Sequence, residues 1–259
     1  MCPRSASAGR AVAVKKIKRF LTDEKRLRAE IAVLRRVRKH PNIVELIDVF
    51  ETPREVHLVL ELCTGGELFE RLADKGPYSE ADCVRHIRDM ARAVQYLHEQ
   101  GIIHRDLKPE NILLSTPDDA DAITKVADFG LAKIFTGTNL KTKCGTWGYS
   151  APEMISGSGV AFGYDFKVDS WSMGIIVYIL LCGFHPFDPH GTNSDSEMIE
   201  CIKNCQYDFS DEAWDDEKVK PSELPLSPRI HQDLKRFTEQ TKKKSSCSSV
   251  AAMGVVVGS

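Results

Sequence analysis

The sequence predicts an α+β fold with a strand-rich first part and a mainly helical second part. Two observations predict it. The first 60 residues follow the order strand, helix, strand, strand, whereas apolar residues from Leu68 onward recur mostly at helical spacing. The chain has 259 residues, of which 42% are hydrophobic and 28% charged, as in an ordinary globular protein.

In the first part, three apolar runs predict strands, at residues 11–14, 43–50 and 56–60. Between the first two, residues 27–37 have apolar positions three and four apart and predict a helix, which His40-Pro41-Asn42 ends. Gly65-Gly66 then interrupts the pattern and marks a hinge.

In the second part, residues 84–97 predict a helix that stops near Gly101. Short strands are predicted at 112–114 and 123–126, and helices at 169–182 and 198–204. The pattern decays after about Asp211. We therefore expect a first lobe at 1–60, a hinge at 61–67, a second lobe at 68–214, and a divergent, poorly ordered tail at 215–259.

Composition excludes several classes of protein. The chain has 35 basic and 37 acidic residues, a net charge of -2, and this balance gives no reason to expect nucleic acid or a membrane surface as a partner. The longest apolar stretch, Ile175 to Cys182, is too short to span a bilayer. Eight scattered cysteines fit reduced intracellular thiols, so we expect a cytoplasmic protein, with the nucleus as the alternative.

The run His104-Arg105-Asp106-Leu107-Lys108-Pro109-Glu110-Asn111, followed by Asp128-Phe129-Gly130, indicates phosphoryl transfer. Such chemistry requires a proton acceptor for the attacking hydroxyl, metal ligands and a cation near the transferred group. Asp106 suits the first role and Lys108 the third. Asn111 and Asp128 supply the hard oxygen ligands that Mg²⁺ prefers.

These two motifs resemble those of the eukaryotic serine/threonine protein kinases, and the resemblance extends over roughly Ala11 to Trp214. It implies a two-lobed protein-kinase-like fold, with a partial antiparallel sheet and one helix in the small lobe and a mainly helical large lobe. It also implies ATP and Mg²⁺ as cofactors and a protein Ser/Thr hydroxyl as acceptor. The resemblance also implies an internal spine of Leu34, Leu46, His104 and Phe129, which Asp169 is expected to anchor from below.

The resemblance assigns further residues. Lys15 would hold the α- and β-phosphates, Glu30 would pair with Lys15, and Thr146 would contact Asp106 and select the acceptor. The remaining expected nucleotide contacts are Ala13 and Leu113 on the adenine ring, Glu61 and Cys63 in the hinge, and Glu67 and Glu110 near the ribose or substrate arginine. Their alternative roles are those of core apolar side chains and of solvated charges.

Residues 57–72 and 174–187 look most like the calcium/calmodulin-dependent and calcium-dependent kinase group. This implies protein substrates with basic residues near the acceptor. An upstream kinase acting on Thr142, or secondly Thr138, is a further expected partner. Lys235 to Lys244 is either a calmodulin-binding segment or a solvated basic tail, and its sparse apolar residues favour the tail.

The resemblance fails at both ends. Only fourteen residues precede Lys15, and they include a single glycine, Gly9, so the Gly-rich phosphate loop is missing from the first lobe. After Trp214 the sequence no longer follows the kinase pattern. We therefore expect a chain truncated at both ends. Two functions stay open: an active protein kinase, or a catalytically impaired kinase fragment that acts as an interaction or regulatory module.

Overall fold

The structure is a computed structural model, and it describes residues 11–76, 78–135, 145–155, 164–210, 214, 232, 234–239 and, for the backbone, 253–256. The candidate phosphorylation sites Thr138 and Thr142 lie outside these residues, as does most of the stretch 215–259.

The small lobe is built on an antiparallel four-stranded sheet with the strand order β2-β3-β1-β9. Its strands are β1 (Val12–Lys18), β2 (Leu46–Glu51), β3 (Glu55–Glu61) and β9 (Met253–Val256). In β1 and β3, residues on one face pair as Ala13 with Leu60 and Lys15 with Leu58. Leu58 and Leu60 are buried, so this face is the inner face of the sheet.

One helix, α1 (Glu24–Arg36), packs against the inner face. Asp23 caps its start, because the side chain accepts the backbone N–H of Lys25 at 2.7 Å. The buried positions of α1 follow the predicted spacing and include Leu27, Ile31 and Leu34, with Glu30 between them. The helix therefore presents Glu30 to the same side as its apolar residues, toward β1.

The segment after α1 joins the small lobe to the large lobe. The sequence predicted a strand from Ile43, but β2 begins only at Leu46. The reason is a partner outside the sheet: Val44 donates its N–H to the carbonyl of Val126 at 3.0 Å, and Val126 donates to the carbonyl of Asn42 at 2.9 Å. The first residues of the predicted strand thus pair with the large lobe instead of with β3.

The large lobe is mainly helical, as predicted. Its helices are α2 (Leu68–Lys75), α3 (Glu80–Glu99), α4 (Pro152–Ile155), α5 (Lys167–Cys182) and α6 (Asp195–Lys203). A capping box formed by Ser79 and Asp82 begins α3. Helix α5 has buried residues all round, which places it at the centre of the lobe.

Short strands carry the loops of the site. They are β4 (Gly66–Glu67), β5 (Ile102–Ile103), β6 (Ile112–Leu114), β7 (Thr124–Val126) and β8 (Lys133–Ile134). Strands β4, β6 and β7 form one sheet, and β5 pairs with β8. Within the described ranges, no helix is long and apolar enough to cross a membrane.

Two pieces of the predicted poorly ordered tail belong to the fold, which differs from the expectation. Residues 234–239 are helical, and Leu234 is fully buried in the main core. Strand β9 pairs with β1 along Val12–Lys15. Sequence periodicity missed β9 because four residues are too few for a pattern, whereas an open strand edge is a strong template for pairing.

Candidate active site

The catalytic loop is anchored by Asp169, a fully buried residue of α5. Its carboxylate accepts the backbone N–H groups of His104 and Arg105 at 2.9 and 2.8 Å, and Oδ2 lies 2.8 Å from Nε2 of His98. These partners compensate for the cost of burying the carboxylate. Because Arg105 has φ of 68°, the bonds also hold a backbone conformation that most residues avoid.

Asp106 follows this anchor and is held by Thr146, near the end of the segment between Gly130 and Ala151. Thr146 donates both its backbone N–H and its hydroxyl to Oδ1 of Asp106, at 3.0 and 3.1 Å. Lys108 Nζ donates to the same threonine hydroxyl at 3.1 Å and lies 3.6 Å from Oδ2 of Asp106. The sequence-predicted residues Asp106, Lys108 and Thr146 therefore form one cluster.

Gly145 makes this close approach of the two segments possible. A Cβ at that position would lie 2.8 Å from the carbonyl oxygen of Arg105 and 3.1 Å from Oγ of Ser150. Its φ of 100° is also unfavourable for any other residue. A side chain here would push Thr146 away from Asp106.

Lys15 lies between two carboxylates. Its Nζ is 2.9 Å from Oε1 of Glu30 on α1 and 2.8 Å from Oδ1 of Asp128. Burial lowers the pKa of Lys15, but the charges of Glu30 and Asp128 outweigh burial and raise the pKa above its ordinary value. Lys15 is therefore a preformed cation at this end of the cleft.

Asn111 and Asp128 provide oxygen atoms suited to a hard cation. Asn111 donates its side-chain N–H to the carbonyl of Asp106 at 2.8 Å, which leaves Oδ1 as the atom that can ligate. Burial raises the pKa of Asp128, but Lys15 and the N–H of Gly130 outweigh it, so the pKa lies below its usual range. An amide oxygen and an ionised carboxylate fit Mg²⁺, whose other ligands would be phosphate oxygens and water.

A cleft lies between the lobes. It is lined by Ala13, Lys15, Glu30, Leu34, Val44, Leu60, Glu61, Leu62, Cys63, Leu113, Ala127, Asp128 and Phe129. The wall is mostly apolar with charges at one end, which is the arrangement that a nucleotide requires. Burial raises the pKa of the Cys63 thiol to about 11, so this hinge cysteine is a neutral, apolar part of the wall.

Most of the predicted nucleotide contacts line this cleft, namely Ala13, Lys15, Glu30, Glu61, Cys63 and Leu113, and so does the predicted metal ligand Asp128. Glu67 and Glu110 do not. Glu67 lies in β4 and pairs with β6, and Glu110 lies in the 3-10 turn that follows Lys108. Both residues are therefore placed beside the cleft, on the large-lobe side.

Sequence reasoning missed Lys125. Its side chain is only 8% exposed, and its Nζ lies 3.0 Å from Oε2 of Glu61 and donates to the carbonyl of Pro41 at 2.7 Å. The same Glu61 oxygen accepts the N–H of Glu45 at 3.2 Å. Lys125 thus ties the hinge to the segment after α1. The available signal in the sequence was a lysine within an apolar strand, three residues before Asp128. Lysine is rarely buried unless it has a partner, so this position indicated an ion pair.

Comparison with known proteins assigns the family. The profile of the protein kinase domain matches residues 3–250. The chain belongs to the protein kinase family. It is 48% identical over 224 residues to human calcium/calmodulin-dependent protein kinase type IV, an alignment that covers 86% of this chain and 46% of that protein.

Other relatives have similar identity. Rat calcium/calmodulin-dependent protein kinase type 1B is 47% identical over 213 residues, which cover 82% of this chain and 59% of the relative. Myosin light chain kinase A of Dictyostelium discoideum is 47% identical over 192 residues, which cover 74% and 62%. The predicted resemblance to the calcium/calmodulin-dependent group is confirmed. The chain spans about half the length of the curated relatives it matches.

Proposed function

We propose that this chain is an ATP-dependent serine/threonine protein kinase, which transfers the γ-phosphate of Mg-ATP to a hydroxyl of a protein. One observation carries the proposal. The Asp106–Thr146–Lys108 cluster and the Lys15–Glu30–Asp128 cluster are both assembled in the same chain, with bonds of 2.8–3.1 Å. A proton acceptor and a phosphate clamp are thus present together.

Each group has a definite task. Because Oδ1 of Asp106 already accepts two bonds from Thr146, Oδ2 is the oxygen that receives the proton of the acceptor hydroxyl. The hydroxyl oxygen bonds to the γ-phosphorus as the bond to the β-phosphate oxygen breaks, and ADP leaves. Lys108, next to Oδ2, stabilises the negative charge on the phosphoryl oxygens. Lys15 holds the phosphates that remain on ADP.

Magnesium completes this arrangement. Asn111 and Asp128 would hold the ion, and its charge would neutralise the β- and γ-phosphate oxygens. Lys15 contacts Oδ1 of Asp128, so this carboxylate would be shared between Lys15 and the ion, and Lys15 would also face the phosphates. Nucleotide and metal binding are therefore expected to be coupled.

The acceptor protein is proposed to carry basic residues near the Ser or Thr. Oε2 of Glu110 is buried and has no hydrogen-bond partner among the described residues. Burial raises the pKa of Tyr149, and the nearby Glu110 carboxylate raises it further, which places this carboxylate beside the segment that follows Thr146. An arginine of a substrate would supply the missing donor and a compensating charge.

Regulation is proposed to occur through an upstream kinase acting on Thr142 or Thr138. Both threonines lie in the segment between Gly130 and Ala151. The side chain of Arg105 is fixed near the start of this loop, since Nε donates to the carbonyl of Leu131 at 2.7 Å and Nη1 to the hydroxyl of Tyr164 at 2.9 Å. A phosphate on the loop would find a cation there. We propose the cytoplasm, or the nucleus, as the site of action.

Calmodulin is the alternative regulator, because names of several relatives include it. The candidate segment is Lys235 to Lys244. In the structure Leu234 is fully buried, and the ring of Phe237 lies 6.4 Å from that of Phe69. Calmodulin would have to detach this helix from the large lobe, so the upstream kinase is the favoured regulator.

The experiment is phosphate transfer from γ-labelled ATP to a serine peptide with arginine before the acceptor. We expect transfer by the parent chain, and Asp106→Asn should lower kcat about 10³-fold while leaving the Kd for Mg-ATP unchanged. Asp118→Asn, at an exposed turn, is the matched control and should retain full activity. Binding of Mg-ATP without any transfer would instead indicate the impaired interaction module.

The peptide preference has its own test. Replacing the peptide arginine by alanine should raise KM about tenfold, because a charge-assisted hydrogen bond is lost. Glu110→Gln should reduce that difference, whereas the exposed Glu99→Gln should not. An unchanged preference in Glu110→Gln would remove Glu110 from the substrate site.

A further inference from the structure

Helix α1 presents different residues on its two faces. The buried face packs against the sheet and carries Glu30, the partner of Lys15. With 3.6 residues per turn, successive residues rotate by about 100°, and the opposite, outer face covers an arc of about 120°. The residues on this arc are all exposed, and they are Lys25, Arg28, Ala29, Ala32, Arg35 and Arg36. The outer face therefore consists of four cations and two alanines.

Charge is segregated in this part of the chain. Residues 25–39 include seven cations but a single acid, Glu30, which is buried on the other face. The whole chain is nearly balanced, with 35 basic and 37 acidic residues. The seven cations are all exposed, and they are Lys25, Arg26, Arg28, Arg35, Arg36, Arg38 and Lys39. The small net charge of the chain thus conceals one strongly basic surface.

The stability of α1 does not explain these cations. The helix dipole favours cations in the last turn, as at Arg35 and Arg36. It disfavours them in the first turn, where Lys25 and Arg26 lie. Lys25 also has Arg28 as a neighbour three residues further on, and like charges at this spacing repel. The sequence therefore accepts a local cost in α1, which indicates a role outside the helix.

The fold supplies few acidic partners to the outer face. Glu24 lies 2.9 Å from Arg28 and 3.1 Å from Arg19, so it compensates the charge of only one cation on this face. Four of the exposed cations form no ion pair with any residue that the structure describes, namely Lys25, Arg26, Arg35 and Arg36. The outer face consequently carries positive charge that an anion from another molecule would neutralise.

The spacing of the cations fits an extended acidic peptide. Arg28 and Arg35 form a row along one side of the outer face. Lys25 and Arg36 form a second row along the other side, and the small side chain of Ala32 lies between the rows. The second row is about 16 Å long at 1.5 Å per residue, a length that an extended chain covers in about five residues. Because alternate side chains of such a chain point to opposite sides, its carboxylates would reach both rows.

The segment before α1 favours a peptide over other polyanions. Phe20 and Leu21 are 77% and 72% exposed, and neighbouring exposed apolar side chains of this size are typical of interaction sites. A peptide can offer them an apolar side chain together with carboxylates, whereas a nucleic acid backbone offers phosphates. At the same end, Arg19 pairs with both Glu24 and Glu51, so acids border the basic surface. A membrane would meet these acids, but a short peptide would not.

We propose that the outer face of α1 is a docking surface for an acidic segment of another protein. The segment is extended over about five residues, and its carboxylates alternate between the two rows of cations. An apolar residue at one end of the segment contacts Phe20 and Leu21. No group of the cleft takes part, so docking is independent of the proposed kinase activity, and either can fail without the other.

The probe is a peptide of six glutamates with a terminal leucine and an uncharged dye, and fluorescence anisotropy measures its Kd at low salt. A peptide with glutamines in place of the glutamates should bind about tenfold more weakly. Lys25→Glu and Arg36→Glu should each raise the Kd for the glutamate peptide about fivefold, because an attraction is lost and a repulsion is gained. The two sites lie far apart, so the double variant should raise the Kd about 25-fold.

Arg88→Glu is the control variant. Arg88 is an exposed arginine of α3, and its substitution changes the net charge by the same amount as either single variant. The Kd should stay within about twofold of the parent value. Lys25→Glu places an acid in the first turn of α1, where the helix dipole favours it, so weaker binding by this variant does not reflect loss of the helix. Melting temperatures verify that each variant folds.

Three outcomes would overturn the proposal. The first is no binding of the glutamate peptide at concentrations up to about 1 mM. The second is equal weakening by Lys25→Glu and Arg88→Glu, which would mean that net charge alone matters. The third is tighter binding of hexathymidylate, or of phosphatidylcholine vesicles with about one fifth phosphatidylserine, accompanied by the same loss in Lys25→Glu. That result would assign the outer face to nucleic acid or lipid.

Discussion

Replacing Lys125 with methionine should lower the free energy of unfolding more than the same replacement at an exposed lysine. The substitution keeps an unbranched apolar stem but removes the cation that lies 3.0 Å from Glu61 and donates to the carbonyl of Pro41. Glu61 then stays in a site where its side chain is only 16% exposed, and its Oε2 still accepts the N–H of Glu45. The substitution thus removes the cation of a largely buried ion pair and leaves its acidic partner in place.

The magnitude follows from this geometry. Removing one partner of a buried ion pair costs about 3–5 kcal/mol, and the bond from Glu45 places Lys125→Met at the lower end, about 3 kcal/mol. For a chain of this size, such a loss lowers the melting temperature by about 6–12 °C. Adding Glu61→Gln removes the stranded charge and keeps an acceptor for Glu45, so the double variant should regain about 1–2 kcal/mol.

Differential scanning calorimetry on the four chains of the cycle measures these values. Lys133→Met is the control, because Lys133 is an exposed lysine in another short strand, β8. A drop below about 2 °C for Lys125→Met would contradict the buried ion pair. A double variant that melts no higher than the single one would show that the cost does not come from the charge of Glu61.

Three further predictions concern charge and pH. Asp128→Asn should abolish the strengthening of ATP binding by Mg²⁺ in calorimetry, and a full magnesium effect in the variant would contradict the metal assignment. Burial lowers the pKa of His86 to about 4, so the folded chain binds fewer protons than the unfolded one, and about 3 kcal/mol of stability is lost between pH 6.5 and 4. His86→Gln should flatten this loss in melting curves, and an equally steep curve would refute it. The rate of Cys63 alkylation should rise about tenfold per pH unit from pH 8 to 10, because burial raises the pKa of this thiol to about 11. Mg-ATP should slow the reaction. A rate that levels off near pH 8.5 would contradict the raised pKa.

The sequence predicted contacts that depend on local periodicity. Lys15 follows a strand pattern and Glu30 a helical one, and these periods of two and 3.6 residues fix which face each residue occupies. Once the strand and helix pack together, the two charged groups meet at 2.9 Å. The spacing of the catalytic-loop motif likewise placed Asp106 and Asn111 in one turn.

Features that depend on distant partners were not predictable in this way. The start of β2 shifts from Ile43 to Leu46 because Val44 bonds to Val126, more than 80 residues away. Lys125 forms an ion pair only because the hinge residue Glu61, 64 residues earlier in the chain, lies beside it. Strand β9 has a pattern too short to be recognised, and its register is set by the open edge of β1.

The ion pair between Lys15 and Asp128 has a consequence for how the cleft opens. Lys15 belongs to the small lobe and Asp128 to the loop after β7 in the large lobe, so their bond of 2.8 Å spans the cleft. In the proposed function, phosphate would compete with Asp128 for Lys15, and the metal would compete with Lys15 for Asp128. Nucleotide entry would then be an exchange of partners for Lys15 and Asp128. Their ion pair already holds the two lobes together across the cleft before the nucleotide enters. Added salt, by weakening the internal pair, should speed this exchange even as it weakens the final complex.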